Sequence, residues 1–186
     1  MLPKQIIKDV EELMKKAIEA VKREFSEVRS GRAHPSMVEG ILVDYYGSPT
    51  PLKQIASVTI PDARLIIVQP WDPSSLQAIQ KGILNSNLGL NPLVDGKILR
   101  IPVPPLSEER RKELIKIVKG VAEEGRISIR TVRRDSIERV RKLEKEKKMG
   151  EDDRFRLEEE IQKLTDKFVK KIDELFEEKR KELLES

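Results

Sequence analysis

Hydrophobic positions along this chain change period twice. From Lys4 to about Arg29, Ile7, Val10, Met14, Ala17, Val21, Phe25 and Val28 recur at steps of three and four with charges between them, which predicts an amphipathic helix. Ser30-Gly31 interrupts that pattern, and most prolines, glycines and β-branched runs then fall between Gly31 and Pro105. Met37 to Tyr46, Ile55 to Ile60, Arg64 to Val68 and Ile98 to Val103 read as strands, with turns at Gly47-Ser-Pro-Thr-Pro51 and Asp95-Gly96. Asp72 or Ser74 caps a short helix running to about Leu84. Helical spacing returns at Ser107, whose hydroxyl and following glutamates suit a helix start, and persists to about Lys148, roughly 60 Å at 1.5 Å per residue. On it Leu114, Ile117, Val118, Val121, Val132, Ser136, Val140 and Leu143 are expected on one face, with Gly125 there admitting a close helix. Met149-Gly150 reads as a glycine C-cap. Glu151, Asp152 and Asp153 then open a last helix marked by Leu157, Ile161, Leu164, Phe168, Ile172, Leu175 and Leu183.

Helices that flank a β-rich insertion imply an α+β chain of discontinuous architecture. Residues 1–30 and 106–186 are expected to form an elongated three-helix bundle, and residues 31–105 a small inserted β/α/β domain, together an L-shaped two-domain molecule. The chain crosses between them twice. Ser30 and Gly31 on one crossing, and Pro104, Pro105 and Leu106 on the other, are the hinge candidates, a swivel beside a stiff stop.

Charge changes the picture through its distribution. The 186 residues are 38% hydrophobic and 38% charged, enough to bury a core, and their net charge is only +4. Lys112 to Lys148, however, carries 13 basic and 7 acidic side chains, whereas Glu151 to Ser186 carries 9 basic and 13 acidic. Neighbouring helices of opposite sign attract and leave one as a polyanion-facing surface. Arg126, Arg130, Arg133 and Arg141 follow at helical spacing, with Lys112 and Lys119 behind them, on a side expected roughly opposite the apolar face. Guanidinium groups a turn apart on a rigid rod suit the phosphates of a nucleic-acid backbone. An ordinary solvated face is the competing explanation.

Candidate chemistry is sparse. There is no cysteine, hence no disulfide, thiolate metal site or cysteine nucleophile, and a reducing cytoplasm is the expected location. No stretch approaches the roughly 20 apolar residues of a membrane span. The single histidine, His34, lies between Ala33 and Pro35 without a partner that makes a base or ligand set. Phosphate-cradling glycine loops are missing. Tyr45, Tyr46 and Trp71 are possible stacking platforms, but adjacent tyrosines on a strand point to opposite faces, so one belongs in the core. The Glu151-Asp-Asp153 cluster resembles a divalent-metal site, yet helix capping explains it better. Neither a cofactor nor a metal is expected, and no catalytic residue.

Several motifs in order are recognisable: Arg29-Ser-Gly-Arg-Ala-His-Pro35, Val43-Asp-Tyr-Tyr-Gly47, Ile55-Ala-Ser-Val58, Leu88-Gly-Leu-Asn-Pro92, Arg100-Ile-Pro-Val-Pro-Pro-Leu-Ser-Glu-Glu-Arg-Arg-Lys112 and Arg130-Thr-Val-Arg-Arg-Asp135. Together they resemble bacterial ribosome recycling factors over nearly the whole chain. The resemblance implies a three-helix bundle with an inserted β/α/β domain, and a monomeric, non-enzymatic translation factor. Such a factor, with elongation factor G and GTP, splits the post-termination ribosome into subunits. It also implies that Arg130 and Arg133, at matching positions, contact large-subunit ribosomal RNA, with Arg126 beside them. Arg29, Arg32, Arg110 and Arg111 match basic positions near the elbow. The alternative from another class is a helical-arm RNA-binding or coiled-coil scaffold protein without recycling activity.

Overall fold

A computed structural model describes residues 2–186. Contacts divide the chain into two compact units. One takes the chain up to Arg29 and resumes over Glu108–Glu185, and the other is Ser30–Ser107.

The first unit is a three-helix bundle of α1 (Leu2–Glu27), α4 (Glu108–Lys145) and α5 (Glu151–Leu184), each packed on the other two. From α1, Ile6, Val10, Met14, Ile18, Val21 and Phe25 are buried, so Ile6 and Ile18 take the places expected of Ile7 and Ala17. On α4 the buried set is Leu114, Val118, Ala122, Gly125, Ile129, Ser136 and Val140. Val121 and Val132, expected in that seam, are only half-buried, and Ile117 is 49% exposed. The small residues explain the shift. Ala122 and Gly125 let neighbouring helices approach where a branched side chain would hold them away, and a Cβ on Gly125 would stand 2.5 Å from Val21 Cγ2 and 3.1 Å from Ile172 Cδ1. Thr165 and Ser136 are buried yet satisfied, donating to the carbonyls of Ile161 at 2.8 Å and Val132 at 2.6 Å.

The α4 to α5 junction corrects one expectation. Lys147, not a glycine, takes the left-handed conformation (φ 59°), with Lys148 N–H donating to the Leu143 carbonyl and Lys147 N–H to that of Glu144, both 2.9 Å, the paired bonds of a Schellman cap. Gly150 instead precedes α5 in extended conformation, and no side chain caps the helix, so Glu151, Asp152 and Asp153 act through the favourable field of its first turn.

The second unit pairs a hairpin with a four-stranded antiparallel sheet. The hairpin is β1 (Leu42–Tyr45) and β2 (Ser48–Pro51); the sheet has the order β3 (Ala56–Asp62), β4 (Leu65–Pro70), β6 (Ile98–Pro102), β5 (Leu93–Asp95). The helix α3 (Leu76–Leu84) packs on β1 and β6. Asp72 does cap the turn before it, accepting from Ser74 N–H at 3.0 Å. Val38, Val43, Leu52, Ile66, Val68, Ile79, Leu99 and Ile101 are all fully buried in one apolar cluster.

Met37 and Val38, expected to begin a strand, lie in the short helix α2 (Ser36–Glu39), because Pro35 presets a helical φ of −54° before it. The segment Ser48–Pro51, expected as a turn, is a strand. Tyr46 (φ 50°) and Gly47 (φ 81°) form a two-residue turn with both central angles positive, placing Tyr45 opposite Ser48, and its prolines are tolerated because the strand is at an edge. Strand β5 has no buried position at all, so no alternation announced it.

Candidate nucleic-acid interface

The repacked α4 moves its arginines. At 3.6 residues per turn, the stripe of Arg126, Arg130 and Arg133 lies about 80° from the centre of the observed buried face, flanking it instead of standing opposite. That flank adjoins α5. Arg126 keeps 18% of its side chain exposed; its Nε donates to Asp173 Oδ1 of α5 at 2.8 Å, its Nη2 lies 2.7 Å from the same oxygen, and its Nη1 reaches Glu123 at 3.1 Å. Burial works against its charge, but the hydrogen bonds it donates to Asp173 and Glu123 prevail and hold the guanidinium pKa above its ordinary value. Arg133 Nε donates to Gln162 Oε1 of α5 at 2.6 Å, and Gln162 in turn donates to Asp166 at 2.9 Å. Both side chains therefore brace α4 against α5.

Arg130 is different. It is 58% exposed, and its nearest carboxylate, Glu123, stands 3.7 Å away. Further along, Arg141 reaches Glu158 of α5 at 2.7 Å while remaining 64% exposed, and Arg154 of α5 pairs with Glu144 of α4 as well as Glu158. On the other flank Arg139 bonds Asp9 of α1 at 3.2 Å. Opposite helix charges are thus spent as cross-braces along both seams of α4, whereas among the described residues Arg130 and Arg134 pair only within α4, with Glu123 at 3.7 Å and Asp135 at 3.4 Å.

Toward the start of α4, Arg110 is exposed and pairs with Glu113 at 2.9 Å, and Arg111 is half-buried. Arg29, in the first unit, and Arg32, in the second, are both exposed. Among the hinge candidates, Gly31 and Leu106 touch: a Cβ on Gly31 would lie 2.6 Å from Leu106 Cγ. Gly31 has no positive φ, so its need for glycine is this close approach and not a swivel. Ser30 is half-buried and Pro104 and Pro105 are exposed beside it in the chain segments that enter and leave the second unit.

The other candidates fall into place in the second unit. His34 is exposed, its Nδ1 accepting from the Ser36 amide at 3.1 Å within a local turn. Tyr45 packs on the apolar cluster while Tyr46 is 77% exposed, its hydroxyl donating to Asp72 Oδ2 at 2.7 Å. Trp71 is 65% exposed. Among the described residues no cluster of three or more His, Asp or Glu side chains is placed to hold a metal ion, and no helix is long and apolar enough to cross a membrane.

Sequence reasoning missed a second cationic surface. Lys15 and Lys22 of α1 face Lys167, Lys170 and Lys171 of α5 across a groove of about 670 Å³. Its signal was the spacing of Lys167, Lys170 and Lys171 at i, i+3 and i+4 within an otherwise acidic helix.

Comparison with known proteins places this geometry in context. The family described as Ribosome recycling factor matches residues 21–184. The ribosome-recycling factor of Nitratidesulfovibrio vulgaris (strain DP4) is 54% identical over 180 residues, 97% of this chain and 97% of that protein. The one from Synechococcus sp. (strain JA-2-3B'a(2-13)) is 55% identical over 175 residues, 94% of this chain and 96% of that protein. A ribosome recycling factor solved in solution aligns over 100% of this chain and 99% of its own, at a TM-score of 0.67 and 40% identity. A T. thermophilus ribosome recycling factor, from models of that factor and the E. coli elongation factor G bound to the E. coli post-termination complex, aligns over 99% of this chain and 100% of its own, at a TM-score of 0.59 and 45% identity.

Proposed function

Because this chain belongs to the ribosome recycling factor family, we propose that it works on the ribosome as a translation factor: with elongation factor G and GTP it parts the post-termination complex into subunits so that ribosomes are recycled. The observation that carries this is identity above half over nearly the full length of relatives so named, joined to a structural neighbour that sits with elongation factor G on a post-termination complex. In this reading the chain is no enzyme. GTP hydrolysis belongs to the elongation factor, and this protein, acting as a cytoplasmic monomer, supplies binding and displacement.

The RNA-facing surface we assign is the arginine flank of α4. Arg130 is its leading contact with large-subunit ribosomal RNA, Arg126 and Arg133 hold the flank in shape from its α5 edge, Arg29, Arg110 and Arg111 are further contacts of the same unit, and Arg32 is one of the second unit by itself. Support for ranking Arg130 first is its 58% exposure and its loose 3.7 Å tie to Glu123, which a phosphate can displace at small cost. Ser30, Gly31, Pro104, Pro105 and Leu106 serve as the hinge through which force on the inserted unit reaches the bundle.

Light scattering of purified ribosomes with elongation factor G and GTP tests the function directly: the protein should lower the scattering as subunits part, and no change would refute recycling. The residue ranking has its own readout. Arg130→Gln should weaken ribosome binding by about 1 to 3 kcal/mol with an unchanged melting temperature and lower the salt slope by about one unit. Arg126→Gln should act the other way, lowering stability by up to about 1 kcal/mol as the half-exposed Asp173 loses its partner, and leaving the salt slope nearly intact. The reverse pattern would exchange their roles.

A further inference from the structure

Helix α5 sorts its charges by direction. Although acidic overall, it turns Glu158 and Asp173 toward the arginines of α4, while Lys167, Lys170 and Lys171 line the outer groove it shares with α1. In a bundle whose three helices all touch one another, the outer groove of α1 and α5 lies on the side away from α4. The two cationic surfaces therefore lie on different faces of the bundle, one on each flank of α5.

They differ in how much of their charge is already used. Arg126, Arg139 and Arg141 of α4 are tied into close ion pairs, most of them with neighbouring helices, while Arg130 and Arg134 are held loosely. In the groove, among the described residues, Lys15 pairs only with Glu11 at 3.5 Å and Lys22 only with Glu19 at 3.6 Å, each on its own helix. Among the described residues Lys167, Lys170 and Lys171 form no ion pair; Lys167 merely stands 5.6 Å from the ring centre of Phe168. Only two glutamates, Glu19 and Glu174, line the groove against these five lysines. Ile18 and Phe168, both nearly buried, make its floor, so aliphatic lysine stems pack along it and their ammonium groups reach its rim. Lys167 and Lys171 are about 6 Å apart along the axis, one turn, with Lys170 between them.

We propose that this groove is a second RNA contact, taking a run of phosphates along the α1 and α5 side while the arginine flank of α4 meets RNA along the α4 and α5 seam. The bundle is then held between two RNA segments instead of against one. Charge complementarity singles out this occupant. Clustered unpaired ammonium groups bind phosphates as point charges in any orientation, which suits a backbone read without sequence. Glu19 and Glu174 repel either kind of anion, and a nucleic acid outweighs that repulsion with a regular charge density that an acidic protein helix lacks. The inference rests on the reading of the chain as a ribosome-bound factor.

The test is fluorescence anisotropy of a labelled short RNA duplex against the full chain over a salt series, comparing the unaltered protein with Lys167→Gln/Lys170→Gln/Lys171→Gln. The triple variant should bind at least about tenfold more weakly at low salt, with a log–log salt slope smaller by about 2 to 3 units, one for each lysine. The corresponding Lys→Arg variant should restore both values. Arg130→Gln, at the other surface, should add its own loss independently. Retained helical circular dichroism keeps the comparison fair. Unchanged affinity and slope in the folded triple variant would overturn the proposal, as would polyglutamate binding the groove as tightly as RNA at equal salt, which would assign it to a protein partner. Subunit splitting by the unaltered chain separates the two readings. Splitting with an unchanged triple variant defeats this inference alone; no splitting with a weakened triple variant defeats the recycling reading alone.

Discussion

Helix α4 runs 38 residues and buries seven of them, whereas strand β4 runs six and buries three. The ratio separates two kinds of element. A long bundle helix offers its neighbours one narrow stripe and leaves most of its circumference outside, so charged side chains can be added, paired or presented to a partner without touching the core. The inserted unit gathers its buried side chains into one dense cluster between a sheet and a helix, while its hairpin and β5 stay largely outside that cluster. The bundle is thus the natural carrier of an extended electrostatic interface. Its weakness is that three thin seams must meet at a few contact points, and Gly125 against Val21 and Ile172 is the tightest glycine contact among them.

The largest effect should come from charging each core in turn. Ile129→Asp in the bundle and Leu99→Asp in the inserted unit each bury a carboxylate where the native side chain is fully buried, at a cost of several kcal/mol. If the units are energetically as separate as their contacts, Ile129→Asp should abolish most helical ellipticity. Leu99→Asp should spare it and lose only the protection of strand amides in hydrogen exchange. Simultaneous loss of both signals from either substitution would show one cooperative unit and break the comparison.

A smaller effect follows from the close approaches. Gly125→Val forces a branched side chain against the stiff Val21 and should cost about 1 to 3 kcal/mol beyond any gain in helix propensity. Gly31→Ala meets Leu106 at a similar distance, but Leu106 is only half-buried at the edge of the inserted unit and can rotate away. Its melting temperature should fall less. A larger fall for Gly31→Ala would locate the critical packing in the crossings and not in the bundle.

The bundle was the legible part of the sequence because a 3.6-residue period over dozens of residues survives local noise; the starts of α4 and α5 fell within a residue of expectation, while α1 shifted by two residues and the end of α4 by three. What it could not show was rotation. Ile117 and Ile129 are equally apolar, and only the small Ala122 and Gly125 decide that Ile129 faces inward and Ile117 outward. That rotation moves Arg126 and Arg133 from a free face to the α5 seam. In the inserted unit, Pro49 and Pro51 hid an edge strand, and Pro35 turned an apolar run into helix. Spacing located the arginines, while their pairing with Asp173, Gln162 and Glu158 depends on which faces two distant helices bring together.

The smallest effect tests whether each unit has its own polar staple. Asp9 of α1 accepts from the Gln5 amide at 2.8 Å and from Arg139 of α4 at 3.2 Å, and these bonds, Gln5's first and Arg139's next, hold its carboxyl below the ordinary aspartate value. Asp72 of the inserted unit is lowered by the Tyr46 hydroxyl at 2.7 Å and then by Ser74, whose hydroxyl and amide donate at 2.8 and 3.0 Å. In both cases the folded chain holds the proton less readily than the unfolded one. The stabilisation is therefore complete above the ordinary carboxylate pKa of about 4 and is lost as pH falls through the lower folded value. Asp9→Asn should flatten the acid limb of the bundle's unfolding profile and leave the strand-protection profile alone; Asp72→Asn should do the opposite. Salt distinguishes them further. At about 1 M the Debye length is about 3 Å, so the Arg139 share of the Asp9 staple should fade while the neutral hydroxyl bonds to Asp72 persist. Identical salt sensitivity of the two acid limbs, or a response of both limbs to either substitution, would mean that these carboxylates do not act within their own units alone.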